Sequence, residues 1–175
     1  TYVSYRRTVS QDIQSARQEL RGLLQRLTAL PKENLEAVKK YADDAGSRTL
    51  VGGFINQENS LLAKNAAEIA KKLPKGAVSA TEFYAIAVAL QNSYDLSGAK
   101  EFLDYSIAAN PDFNTEISAL RMIAGMRFTQ ARLEDGRVEY QRALAIFSKY
   151  PDFDPFTKIS TNVQTELAWA YSEAV

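Results

Sequence analysis

The sequence predicts an all-α fold built from antiparallel helical hairpins. Three observations lead there. Apolar residues recur at spacings of three and four through most of the 175 residues, which places them on one face of a helix. Capping and helix-stopping residues punctuate those runs at short intervals. Strand signals are nearly absent, with no alternating Val/Ile/Thr run closed by an Asn-Gly or Asp-Gly turn.

The first element is a helix from about Ser10 to Leu30. Ile13, Ala16, Leu20, Leu23, Leu27 and Leu30 alternate spacings of three and four, the pattern of a coiled-coil seam, and Leu24 widens it. Fewer than three heptads and an interior Gly22 make an isolated coil marginal. The seam is therefore expected to bury itself either on the rest of the chain or on a second copy, giving a homodimer. Pro31 is expected to end the helix.

A short helix is expected over Asn34 to Ala45, with Leu35, Val38, Tyr41, Ala42 and Ala45 along its face and Gly46 at its end. Val51-Gly52-Gly53-Phe54 is expected to interrupt the next helix, which resumes by Asn59 and carries Leu61, Leu62, Ala66, Ile69, Ala70 and Leu73. Pro74 and Gly76 close it.

The most informative stretch runs from Ser79 to Asp112. Ser79 followed three residues later by Glu82 is a capping box. Phe83, Ile86, Ala87 and Leu90 form one stripe, the helix ends near Tyr94, and Asp95 caps a second helix with Ala99, Phe102, Leu103, Ser106 and Ile107 on its face. Pro111 stops it. The intervening turn is too short for anything but antiparallel packing.

This hairpin resembles a tetratricopeptide repeat (TPR), whose large and small residues match Phe83, Ile86, Ala87, Leu90, Ala99, Leu103, Ser106 and the closing Pro111. Tyr94 stands where that family often has a turn glycine. A second copy follows at a separation of about 37 residues, with Leu120, Ile123 and Ala124 and then Gly136, Tyr140, Ala143, Leu144 and Phe147. The segment 154–174 is expected to cap the stack, with Asp154 as N-cap, Pro155 at the first helical position and Trp169 buried. The chain thus divides into an N-terminal helix, 1–30, and a TPR-like domain, 31–175, whose clearest repeats are 79–112 and 115–151.

The resemblance implies an α-solenoid, a right-handed superhelix whose first helices line a concave, partner-binding face. Residues offset from the first-helix stripe would face that groove. Among Thr81, Tyr84, Val88, Gln91, Asn92, Ser118, Arg121, Gly125 and Thr129, the partner-binding candidates are Tyr84, Val88, Gln91, Asn92, Arg121 and Thr129. The expected partner is a protein or peptide. The expected role is an adaptor or scaffold, the alternative being a structural or assembly domain that uses the N-terminal helix as tether or dimer seam.

Composition excludes much chemistry. With no histidine and no cysteine, a Ser/His/Asp triad, a thiol nucleophile, a thiolate zinc site and a HExxH helix cannot be built. No GxxxxGK[ST] phosphate loop occurs. The remaining carboxylate pairs, Asp43–Asp44 and Asp152/Asp154, sit where helix ends are expected, so capping explains them. No enzyme, cofactor or metal site is expected. Balanced charge, 21 basic against 21 acidic residues, gives no steering toward nucleic acid.

The exception lies near the start, where Arg6, Arg7, Arg17, Arg21 and Arg26 outnumber Asp12 and Glu19. No run of about 18 apolar residues spans a membrane. Membrane contact is expected only through a segment upstream of Thr1, for which Tyr2, Tyr5 and Arg6–Arg7 would form the interfacial end. On that reading the chain is the soluble part of a membrane-anchored bacterial protein; on the alternative, these residues are an ordinary frayed N-terminus of a soluble domain whose compartment the sequence leaves unknown.

Overall fold

The computed structural model describes the backbone of residues 2–149 and 164–169 and the side chains of 10–146 and 164–169. All of the regular structure among the described residues is helical: α1 (Tyr2–Lys40), α2 (Ala45–Lys72), α3 (Ala80–Asn92), α4 (Leu96–Ala108), α5 (Phe113–Thr129), α6 (Leu133–Lys149) and a helical stretch at 164–169. The chain forms two compact units, Thr1–Phe102 and Leu103–Val175, whose boundary falls inside α4. Among the described residues, no helix is long and apolar enough to cross a membrane.

In the first unit, α1 and α2 form one long hairpin. Two expected breaks are absent: α1 runs through Pro31, and α2 runs through Gly52 and Gly53. The separate helix expected over Asn34 to Ala45 therefore does not exist, and the turn lies at 41–44. An interior proline costs roughly 3 kcal/mol and an interior glycine about 1 kcal/mol. At Pro31, burial in the preceding turns outweighs the local cost, whereas Gly52 and Gly53 are flanked by the half-buried Val51 and Ile55 and the exposed Leu50 and Phe54. Leu20, Leu24, Leu27 and Leu30 are buried ahead of Pro31, and Ala63, Ala66 and Ala70 are buried on α2. Fully burying one leucine contributes roughly 1.5–3 kcal/mol.

Of the heptad seam, Leu20, Leu27 and Leu30 are thus buried, with Leu24 beside them, and Ile13, Ala16 and Leu23 are half-buried. The stripe expected on the separate helix is not buried: Leu35 and Val38 are exposed, as are Leu50, Phe54 and Leu61 on α2. Asp44 caps α2, its Oδ1 accepting from Ser47 N at 3.0 Å, which accounts for this carboxylate structurally.

α3 begins at the expected capping box. The Ser79 amide donates to Glu82 Oε2 at 2.8 Å, and Glu82 N donates to Ser79 Oγ at 3.3 Å. At its other end Tyr94 is left-handed, with φ 62°. Asp95 N donates to Leu90 O and Tyr94 N to Gln91 O, the pair of bonds that ends a helix in a Schellman motif. Asp95 then starts α4 by accepting from Gly98 N at 2.9 Å. Ala87 and Ala99, the small residues of the expected pattern, are both completely buried.

The second unit repeats that local design. About 37 residues after Tyr94, Ala131 is left-handed with φ 58°, and Arg132 N donates to Arg127 O while Ala131 N donates to Phe128 O. Ala124 and Gly136 occupy the places of Ala87 and Ala99, and both are buried. Ile117, Leu120, Ala124, Tyr140, Ala143 and Ile146 form the core of α5 and α6, against which Ile107, Phe113, Phe128, Leu144 and Leu167 pack. Asp112 caps α5 through Thr115 N, at 3.0 Å. Trp169, expected to be buried, is 67% exposed. The expected N-cap Asp154, Pro155 at the first helical position, the pair Asp152/Asp154 and the Phe147 side chain lie outside the described residues.

Candidate functional site

The first unit carries a cleft of about 590 Å³ among α1, α2 and α3. This volume falls within the range of clefts that enclose ligands, roughly 300–1,000 Å³. α3 forms one wall with Thr81, Tyr84, Val88 and Asn92, spaced three and four apart so that they share a face. Ala85 and Ala89 keep that wall low. Opposite them stand Leu27, Leu30, Pro31 and Asn34 of α1, and α2 supplies Ile55, Asn56 and Asn59. Because α1 continues through Pro31, Asn34 reaches this wall. Pro31 itself has no N–H, so the carbonyl of Leu27 loses its ordinary intrahelical donor.

Polar side chains of the unit hold the walls in place. Asn59 Nδ2 donates to Ala89 O at 2.9 Å and to Ser93 Oγ at 2.8 Å, tying α2 to α3. Arg17 Nη2 donates to Glu82 Oε1 at 2.9 Å, tying α1 to the start of α3. Burial pushes the Glu82 carboxyl up, but the Ser79 amide, Arg17 and the Ser79 hydroxyl together outweigh it, and its pKa falls below the usual carboxylate value. Arg26 grips Glu58 at two points, Nε to Oε1 at 2.6 Å and Nη2 to Oε2 at 3.0 Å, and its Nη1 meets Glu33. The bonds from Glu58, then Glu33, raise the Arg26 pKa further, and Arg26 in turn lowers that of Glu58.

Among the described residues, no charged side chain lines the cleft. Asn34, Asn56, Asn92 and the Tyr84 hydroxyl have no hydrogen-bond partner among the described residues. The cleft therefore combines an aliphatic surface with neutral groups that both donate and accept.

Of the six candidates, the structure gathers Tyr84, Val88 and Asn92 on this one wall. Gln91 is half-buried and is not part of the lining. Arg121 and Thr129 belong to the second unit. Arg121, a candidate for the partner-binding face, is half-buried and engaged: Nε donates to Glu166 Oε2 at 3.0 Å, and Nη2 meets Oε1. Thr129 Oγ1 donates to Met126 O at 2.9 Å. Tyr140 also bonds Glu166, and its phenol is pushed up to about 12 by burial first and then by the Glu166 charge.

The α1 and α2 walls were not predicted from the sequence. Their signal was the coincidence of Asn34, Asn56 and Asn59 with apolar neighbours at helical spacing, hidden by the expected breaks at Pro31 and Gly52–Gly53. Compared with protein families, curated proteins and solved structures, the chain matches none of them.

Proposed function

We propose that this chain is a TPR-like protein-interaction module, and that its first unit binds a segment of a partner polypeptide in the cleft among α1, α2 and α3. The observation that carries this reading is the convergence of Tyr84, Val88 and Asn92 on one open cleft beside Asn34 and Asn56, with side-chain hydrogen-bonding groups that no described residue engages. The TPR-like part of the reading is supported by the recurrence of left-handed turn, buried small residue and stripe about 37 residues apart, at Tyr94 and Ala131, Ala99 and Gly136, Ala87 and Ala124. The sequence brings together no set of nucleophile, base and phosphate loop, so recognition rather than catalysis is the activity proposed.

A partner segment held this way would bind with a dissociation constant on the order of micromolar, about −8 kcal/mol. The test is selection of a random-peptide phage library on the intact chain, followed by fluorescence polarisation of the recovered peptides. Tyr84→Ala combined with Asn92→Ala should weaken them about tenfold or more, with the melting temperature followed as a control. Peptides that bind this variant as well as the parent would place the binding face elsewhere.

A further inference from the structure

The chemistry of the cleft goes further than its existence, and the step rests on the reading of it as a peptide site. We infer that its occupant is an uncharged stretch of polypeptide presenting one large apolar side chain, recognised through its main chain and not through its charge.

Two observations lead there. The first is the lack of charge on the described lining, beside which the charges are already engaged. The charged neighbours of the lining residues in the chain are paired with one another, three cations against four carboxylates: Arg26 holds Glu58 and Glu33, Arg17 holds Glu82, and Lys32 holds Glu36. A carboxylate or ammonium entering the cleft would give up water without meeting an opposite charge, which is costly. The second is the kind of polar group on offer. A side-chain amide carries one acceptor and two donors and so matches a peptide group, which carries one of each. Asn34, Asn56 and Asn92 bring three such side-chain amides without partners among the described residues. Asn59 is oriented by its Nδ2 bonds to Ala89 and Ser93, and its Oδ1 takes no part in them. Leu27, Leu30, Ile55 and Val88 form the apolar part, which receives the anchoring side chain.

Charge insertion tests this directly, because Asn56 and Asn92 are both exposed and a substitution there leaves the core untouched. Peptides recovered from a random-peptide phage library on the intact chain are measured against Asn56→Lys, Asn56→Glu, Asn92→Lys and Asn92→Glu over a range of salt concentrations. The inference expects recovered peptides with an uncharged core around one large apolar residue. It expects an affinity nearly flat in salt and a loss of about tenfold for both signs of charge. Tighter binding with one sign and weaker with the other, or a steep fall with salt, overturns the neutral occupant while leaving the cleft as the binding site. Peptides indifferent to all four substitutions overturn the site itself, and failure to recover any peptide overturns both readings.

Discussion

A Cβ placed on Gly136 would lie 2.9 Å from Cε2 of Phe128. Phe128 cannot swing away freely, since its ring packs on Tyr140 with centroids 5.7 Å apart. Alanine at a helical glycine ordinarily stabilises by about 1 kcal/mol, whereas overpacking costs roughly 1–3 kcal/mol. Gly136→Ala is therefore expected to destabilise the protein by roughly 1 kcal/mol despite its better helix propensity. Gly53, where a Cβ would meet nothing within 4 Å, is the control: Gly53→Ala should stabilise by about 0.5–1 kcal/mol. Chemical denaturation of the two variants decides between them, and equal signs would contradict the packing described.

Tyr94 is 91% exposed and left-handed, so it bears the strain of its turn with few contacts in return. A side chain in this region costs roughly 1–2 kcal/mol that glycine avoids. Tyr94→Gly is accordingly expected to raise stability by about 1 kcal/mol. A lower melting temperature would show that the ring makes a compensating contact.

How much was legible follows from where each signal lives. The Ser79 capping box, the turn at Tyr94 and the small residues Ala87 and Ala99 are local or nearly so, and the sequence displays them directly. Pro31 and Gly52–Gly53 read as breaks because local propensity opposes helix there, while at Pro31 the burial that overrides it comes from distant residues. The site divides along the same line. Tyr84, Val88 and Asn92 were readable as one face of a helix, whereas Asn34 and Asn56 join them only because both long helices continue. The pairing of Arg121 is not legible in the sequence, because its partner, Glu166, is 45 residues away.

Leu20 has no exposed surface within its own unit. Leu20→Ala is expected to cost about 2–5 kcal/mol, and Leu20→Asp more. Sedimentation velocity of a still-folded Leu20→Ala variant should match that of the parent, because Leu20 is already covered within the unit. A dimer in the parent that this substitution dissolves would mean that the seam pairs two copies.

Tyr140 sets an alkaline limit. Its folded pKa of about 12 lies above the ordinary 10.0, so between these values the folded state holds a proton that the unfolded state releases. Its contribution is fully present below pH 10 and is lost as pH rises toward 12. Stability should therefore fall over this window, and Tyr140→Phe should remove that part of the fall. Tyrosinate absorbance of the native protein should likewise show one of the nine tyrosines titrating late, and losing it in Tyr140→Phe.

We propose the cleft of the first unit as a peptide site. Amide resonances of the intact, isotope-labelled chain, followed during titration with a library-selected peptide, test it most directly. The shifts should concentrate at Asn34, Asn56, Tyr84, Val88 and Asn92 and vanish with Tyr84→Ala/Asn92→Ala. Shifts concentrated on α6, or on the exposed Leu50, Phe54 and Leu61 of α2 with the cleft silent, would contradict it.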